Sequence, residues 1–284
     1  MPGCYRVIVA DPPWAFDDQL DGMKADTPRA AAANYPVLDL EALKALPVRE
    51  LAEPDAVLGL WTPASMLREG LDVMAAWGFR QTQEWTWVKL TSTEKTAEDG
   101  FGVLPDGTVA VHQQVLLRTL AGLARRADRI QRSEHNEAIV TIPLPLAFGM
   151  GRLARAAKET MLVGVRGQLY RHVRDKGIRD VFFAPAGKHS EKPECVQDAL
   201  DRMVPEGKAL ELFARRQRDS FPDPVDRWTC IGNEAPATLG EDIRDSVQRL
   251  LRPTPCPPAD AALAPALETL HGEPDAVEPG GRSA

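Results

Sequence analysis

The apolar positions of this chain fall into short runs separated by amphipathic stretches. Residues 5–10 are apolar and β-branched apart from Arg6, and predict a central strand buried on both faces. Residues 15–36 are polar and alanine-rich, which predicts a loop. Asp39 predicts the N-cap of a helix running through Leu46 and stopped by Pro47. A second buried strand is expected from Ala56 to Trp61. Thr62-Pro63 then opens a helix, with Met66, Leu67, Leu71, Met74 and Ala75 at helical spacing and Gly78 as its C-cap. Residues 79–90 predict a strand whose Trp85 and Trp87 share one face in the core. A turn at 99–107 precedes an expected helix near 111–127 and a polar run from Arg129 to Asn136. Further strands are expected at 161–165, 181–184, 209–213 and 228–231, with a helix from Pro193 through about Val204. Strands alternating with helices predict a mostly parallel α/β sheet. After Leu251 the chain is Pro/Ala-rich with few large apolar residues, so 253–284 is expected to be a disordered tail on a domain spanning 1–252.

Composition narrows the class. Of 284 residues 44% are hydrophobic, enough for a substantial core. No apolar run approaches the length of a membrane span, and Asp11 breaks the start before any signal-peptide pattern can form. Cys4, Cys195, Cys230 and Cys256 are scattered without a C-x-x-C pair, which predicts reduced thiols in the cytoplasm, neither zinc nor disulfides. The five histidines show no metal-ligand spacing, so no metal is expected. The net charge of −7 is uneven. Residues 253–284 hold five acids against Arg282, leaving −3 for the rest of the chain. Residues 152–179 hold eight Lys/Arg against two acids, a local basic stretch suited to phosphates or simply a solvated face.

The candidate chemistry sits directly after the first strand, where residues 11–14 read Asp-Pro-Pro-Trp. An acid, two prolines and an aromatic make a stiff clamp for a flat ring carrying an amino group, such as adenine N6. That nitrogen's lone pair is delocalised into the ring, so acceptors aimed at both amine hydrogens favour its attack on a methyl donor. Asp11 is expected to take one hydrogen. The Pro12 carbonyl, expected to stay free because prolines lack N–H donors, is expected to take the other. Trp14 offers a face for an extruded base, or else belongs to the core. Pro13 completes the clamp.

Further stretches follow in a fixed order: Asn34-Tyr35-Pro36, Leu58 to Thr62, Ala76 to Phe79, Trp87-Val88-Lys89, Gly149 to Arg152 with Lys158-Glu159 and Leu162 to Gly167, His189 to Pro193, and Glu211 to Arg215 followed by Trp228 and Gly232-Asn233-Glu234. Together with Asp11 to Trp14 they resemble the Asp-Pro-Pro-Trp adenine N6-methyltransferases over roughly residues 5–234. The resemblance implies an α/β, Rossmann-like methyltransferase fold with circularly permuted motif order, using S-adenosylmethionine as methyl donor and no metal. It implies catalytic roles for Asp11, Pro12, Pro13 and Trp14, and donor-binding roles for Lys192, Glu211, Arg215, Asn233 and Glu234. By themselves, Lys192 reads as a lysine at a helix start, and Glu211 with Arg215 as a local ion pair.

Lys192 would pair with the donor carboxylate, and Glu211 with the ribose hydroxyls. The implied substrate is adenine in nucleic acid, DNA first and RNA second. A non-catalytic nucleic-acid-binding paralogue and a small-molecule amine methyltransferase are the other classes. Three departures stand out. Arg216-Gln217-Arg218 stand where many relatives carry His or Asn, Thr160 where relatives often have His, and 91–143 is longer than the usual connection, either an inserted recognition element or a decorated loop.

Overall fold

The computed structural model describes residues 3–15, 38–90, 101–103, 109–111, 130–132, 138–140, 146–149, 154–187, 191–218 and 227–252. The chain divides into Met1–Arg252 and Pro253–Ala284, and everything described belongs to the first. The expected loop at 15–36 beyond Ala15, the expected helix near 111–127 beyond Val111, Met150 to Arg152, His189-Ser190 and the expected tail lie outside the described residues.

Seven strands form one sheet in the order β11-β10-β1-β2-β8-β3-β9. They are β1 (Tyr5–Ala10), β2 (Ala52–Thr62), β3 (Arg80–Leu90), β8 (Lys158–Arg166), β9 (Val181–Pro185), β10 (Lys208–Leu212) and β11 (Trp228–Ile231). Two short antiparallel hairpins, β4 (Phe101–Val103) with β5 (Val109–Val111) and β6 (Ile130–Arg132) with β7 (Ala138–Val140), lie between β3 and β8 in the sequence. Residue 111, the expected start of a helix, is therefore strand. Every strand of the main sheet runs parallel except β8, which is antiparallel to both β2 and β3.

Alternating residues build two cores. Ile8, Leu58, Leu60 and Leu210 face one side, against α1 (Leu40–Lys44), α2 (Val48–Leu51), α3 (Leu67–Ala76) and α5 (Ile243–Leu251). Val7, Val9, Val57, Met161 and Val163 face the other, against α4 (Glu194–Met203). Both faces are apolar because helices cover both, as expected for parallel strands. The strand that leads into Asp11 precedes the one expected to bind the donor, yet β1 and β10 are neighbours. The sheet grows from β1 to β2 on one side and returns to β10 on the other, so the carboxyl ends of β1 and β10 open onto the crevice where such sheets bind ligands.

Local features follow the sequence closely in places. Asp39 caps α1, its side chain accepting the Ala42 N–H at 2.7 Å. The helix ends at Lys44, not Leu46, and Pro47 begins α2 instead of only stopping α1. Gly78 ends the α3 turn at φ +82°, a left-handed conformation that favours glycine. The buried face of α3 differs from the expected one. Gly70, Val73 and Met74 are buried, whereas Leu67 and Leu71 stay exposed. The helix packs so closely that a Cβ on Gly70 would lie 2.5 Å from the Thr62 methyl. Contact is therefore made by the smallest residue, and the large leucines are displaced to the flanks.

Candidate active site

Asp11 leaves β1 at the carboxyl edge of the sheet, and its N–H donates to the Leu212 carbonyl of β10 at 3.5 Å. Its carboxylate accepts a hydrogen bond from the Lys192 ammonium at 2.7 Å. Lys192 also lies 3.3 Å from one oxygen of Glu159, whose other oxygen is held by Lys89. A chain of alternating charge, Asp11–Lys192–Glu159–Lys89, thus joins the exit of β1, the approach to α4, the start of β8 and the end of β3. Burial opposes the charge on Lys192, but Asp11 and Glu159 outweigh it and raise the ammonium above the ordinary lysine range. Tryptophan rings back the two cations, Trp61 at 5.6 Å from Lys192 and Trp87 at 5.0 Å from Lys89.

The Pro12 carbonyl is engaged, contrary to expectation. It accepts the Trp14 N–H at 2.9 Å, because the tight turn forced by two prolines leaves that amide no nearer acceptor. A carbonyl carries a second lone pair, so engagement does not abolish its capacity to accept. Trp14 is only 4% exposed, joins the core facing α1 and α3, and donates its indole N–H to the Trp61 carbonyl at 3.0 Å. It still lines a cavity of about 790 Å³, whose wall also holds Asp11, Pro12, Pro13, Lys89, Glu159, Thr160 and Lys192. Thr160 is fixed, its hydroxyl donating to Glu84 at 3.2 Å.

The expected donor residues are brought together unequally. Arg215, Asn233 and Glu234 line the main cavity, where Arg215 lies 4.0 Å from Glu234. Glu211 does not. It lines a smaller adjoining pocket of about 70 Å³, which also touches Asp11, Lys192 and Arg215. Burial pushes the Glu211 carboxyl up to about 7, although Arg218 and a hydrogen bond with Gln197 draw it down. Phe213, between Glu211 and Arg215, takes a left-handed φ of +64° and forms part of both pocket walls. That conformation is costly for an aromatic residue and persists where surrounding structure imposes it, often at functional sites.

The segment after Phe213 is held by charge. Arg218 pairs with Asp198 at 2.6 Å and with buried Asp201 at 3.5 Å, and Asp201 also holds Arg227 and the Trp228 indole. Arg216 pairs with Glu191 and Glu194. The departure at Arg216-Gln217-Arg218 is therefore an anchoring of this loop to α4. The basic stretch 152–179 does not form one surface. Because β8 runs antiparallel, Arg155 and Lys158 lie at the edge with Asp11, while Arg166 and the turn carrying Arg171 and Arg174 lie at the opposite edge. Arg174 is there paired with Glu206 at 2.7 Å.

Glu159 and Lys89 were not assigned roles from the sequence. A signal existed in each case, since Trp87-Val88-Lys89 and Lys158-Glu159 are among the stretches that carry the family resemblance. Among the described residues there is no cluster of three or more potential metal ligands, and no helix is long and apolar enough to cross a membrane. Cys4, Cys195 and Cys230 are free thiols.

A seven-stranded mixed sheet covered by helices on both faces, with a cavity at the edge that carries Asp11, defines an α/β protein. The family is given by comparison. The MT-A70 family model matches residues 5–140 and 141–234, and the chain belongs to this family of adenine-specific methyltransferases. It is 24% identical over 224 residues to the Type II methyltransferase M.MunI of a Mycoplasma species, covering 74% of this chain and 72% of that protein. It is 22% identical over 234 residues to the human N(6)-adenosine-methyltransferase catalytic subunit METTL3, covering 82% of this chain and 28% of that protein. With the human N(6)-adenine-specific methyltransferase METTL4 it shares 23% over 235 residues, 81% of this chain and 37% of that protein. The chain thus spans little more than a third, at most, of the length of these two human relatives.

Proposed function

We propose that this protein transfers a methyl group from S-adenosylmethionine to N6 of adenine in DNA. The observation that carries the reading is the Asp11 carboxylate, fixed by Lys192 at the carboxyl end of β1 in a cavity walled by Pro12, Pro13 and Trp14. Asp11 is the acceptor for one hydrogen of the target amine, and the remaining lone pair of the Pro12 carbonyl suits the other. The donor supplies an electrophilic methyl; the N6–C bond forms as the S–C bond breaks, and the amine proton passes to Asp11 or to water. Pro13 and Trp14 form a rigid wall for the flipped ring, and Trp14, buried in the core, leaves little of its ring open to it. Lys192 keeps Asp11 oriented, and this is the first duty its position supports, ahead of pairing with the donor carboxylate.

The residues of the neighbouring strand ends fit the donor. Arg215 and Asn233 present donors, and Glu234 and Glu211 present acceptors, for a molecule carrying a carboxylate, a diol and an adenine. The pocket at Glu211 has room for hydroxyl groups and not for a ring. DNA is placed ahead of RNA because M.MunI, a Type II methyltransferase, is covered over 72% of its length, against 28% for METTL3. The test is incubation with labelled donor and unmodified DNA and RNA pools, followed by nucleoside analysis. N6-methyladenine in the DNA pool alone is expected. Label in RNA alone would overturn the choice of substrate, and label in neither would overturn the reading of the cavity.

A further inference from the structure

Phe148 is 75% exposed, the most open of the large hydrophobic side chains among the described residues, and it stands on the wall of the main cavity. Its backbone is well tied. The Ala147 N–H donates to the Lys89 carbonyl at 2.8 Å, and Gly149 exchanges two backbone hydrogen bonds with Ala156, at 3.1 and 3.3 Å. Gly149 makes this ladder possible, since a Cβ there would lie 2.4 Å from the Ala156 carbonyl oxygen. The ladder continues from the end of β3, whose Leu90 bridges Leu146. Phe148 is thus presented at the same edge of the sheet as Asp11. The Arg155 guanidinium lies 4.3 Å from the centre of its ring, and the half-exposed Lys158 begins β8 beside it in the sequence.

A ring so open serves no core, yet it is rigidly presented. A cation over one face leaves the other face for a flat partner, and aromatic rings interleaved with cations are the chemistry of unstacked nucleic acid strands. Phe148 stands on the ladder beyond β3, which β2 and β8 separate from β1, about 14 Å at the usual strand spacing, so its partner is taken as a second ring beside the one that reaches Asp11.

We propose that Phe148 is a stacking platform for a nucleobase flanking the target adenine, with Arg155 covering the opposite face of the ring and bringing positive charge to the strand's phosphates. This rests on the reading of the cavity as an adenine site in a nucleic acid. Stacking accepts any base, so Phe148 contributes to affinity for the strand and not to the choice of sequence. Arg155 is the electrostatic half of the platform.

The test uses the full chain and an oligonucleotide that the wild-type protein methylates, with 2-aminopurine placed in turn at each position flanking the target. Wild type is expected to quench one of these probes on binding. Phe148→Ala should abolish that quench and raise the oligonucleotide KM roughly 5- to 150-fold, with kcat and donor affinity within about twofold of wild type. Phe148→Trp should restore both the quench and KM, which a merely misfolded surface would not allow. An unchanged KM and quench in Phe148→Ala would overturn the platform alone. A wild-type dimer that Phe148→Ala dissociates in sedimentation, with KM unaffected, would overturn it in favour of a self-contact. If wild type methylates no oligonucleotide, the reading of the cavity fails first and the platform falls with it.

Discussion

Replacing Lys192 by Met keeps the length of the side chain and removes its charge. The ammonium is 15% exposed and lies 2.7 Å from an Asp11 oxygen and 3.3 Å from a Glu159 oxygen. Those two oxygens are therefore at most about 6 Å apart. At an effective dielectric near 20, two bare carboxylates at that distance repel by about 3 kcal/mol, equivalent to roughly two pKa units. One of the pair then holds a proton well above the ordinary carboxylate range near ~4, and the two titrate as a unit. The two acids share that proton, so the methyl-transfer rate of Lys192→Met should fall severalfold against wild type between pH 8 and pH 5, as Asp11 spends part of its time protonated. Removing one member of a fully buried pair costs about 3–5 kcal/mol, and because both acids remain near a third exposed, about 2 kcal/mol is expected here. The sign follows from the protonation states. The loss is largest at pH 8, where both acids are ionised, and shrinks below about pH 5 as one takes up a proton. Single-turnover rates across pH 5–9 and urea unfolding at pH 5 and 8 measure the two effects. A raised donor KM with an unchanged kcat and pH profile would refute this account and leave Lys192 as an anchor for the donor carboxylate alone.

Asp11→Ala should lower kcat by about 100- to 1000-fold with donor affinity retained by calorimetry, as for loss of one transition-state acceptor; wild-type turnover would remove Asp11 from the chemistry. Glu211 holds its proton to about 7 in the folded chain and releases it near the ordinary glutamate value of 4.5 when unfolded, so wild type loses stability as pH rises through that window. Glu211→Gln lacks this loss and should gain up to about 3 kcal/mol on wild type between pH 4.5 and 8, read from Tm at both pH values. Gly232→Ala would place a Cβ 2.3 Å from the Ala214 carbonyl oxygen, a backbone atom that cannot swing aside. It should destabilise by about 1–3 kcal/mol and weaken donor binding, because the 213–215 turn must shift; unaltered unfolding and donor affinity would count against that packing.

Much of the fold was legible because its signals are local. β1 is apolar apart from Arg6 and β11 apart from Thr229, and α4 starts just after Pro193, where the sequence places it. α5 carries no expectation from the sequence although Asp242 caps it, because its buried stripe of Ile243, Ser246 and Val247 is short and set among charged residues. The site was legible in its parts and not in its pairings. Lys192 meets Asp11 across 181 positions, and no local rule ties those two residues together. The basic stretch 152–179 misled for the same reason, since neighbours in sequence are carried to opposite edges of the sheet by one strand. Nor does an apolar run state its direction, so the reversal of β8 could not be read from Met161 to Val165.

That reversal settles where the chain can vary. β3 ends at Leu90 and β8 begins at Lys158, both at the edge that carries Asp11. Whatever the length of the stretch between them, it departs from and returns to the mouth of the cavity, and lengthening a closed loop adds little entropic cost. The seven-stranded frame need not change when residues are added or lost there. Diversity in what the protein grips can thus accumulate at one opening while the methyl-transfer geometry beneath it is inherited intact.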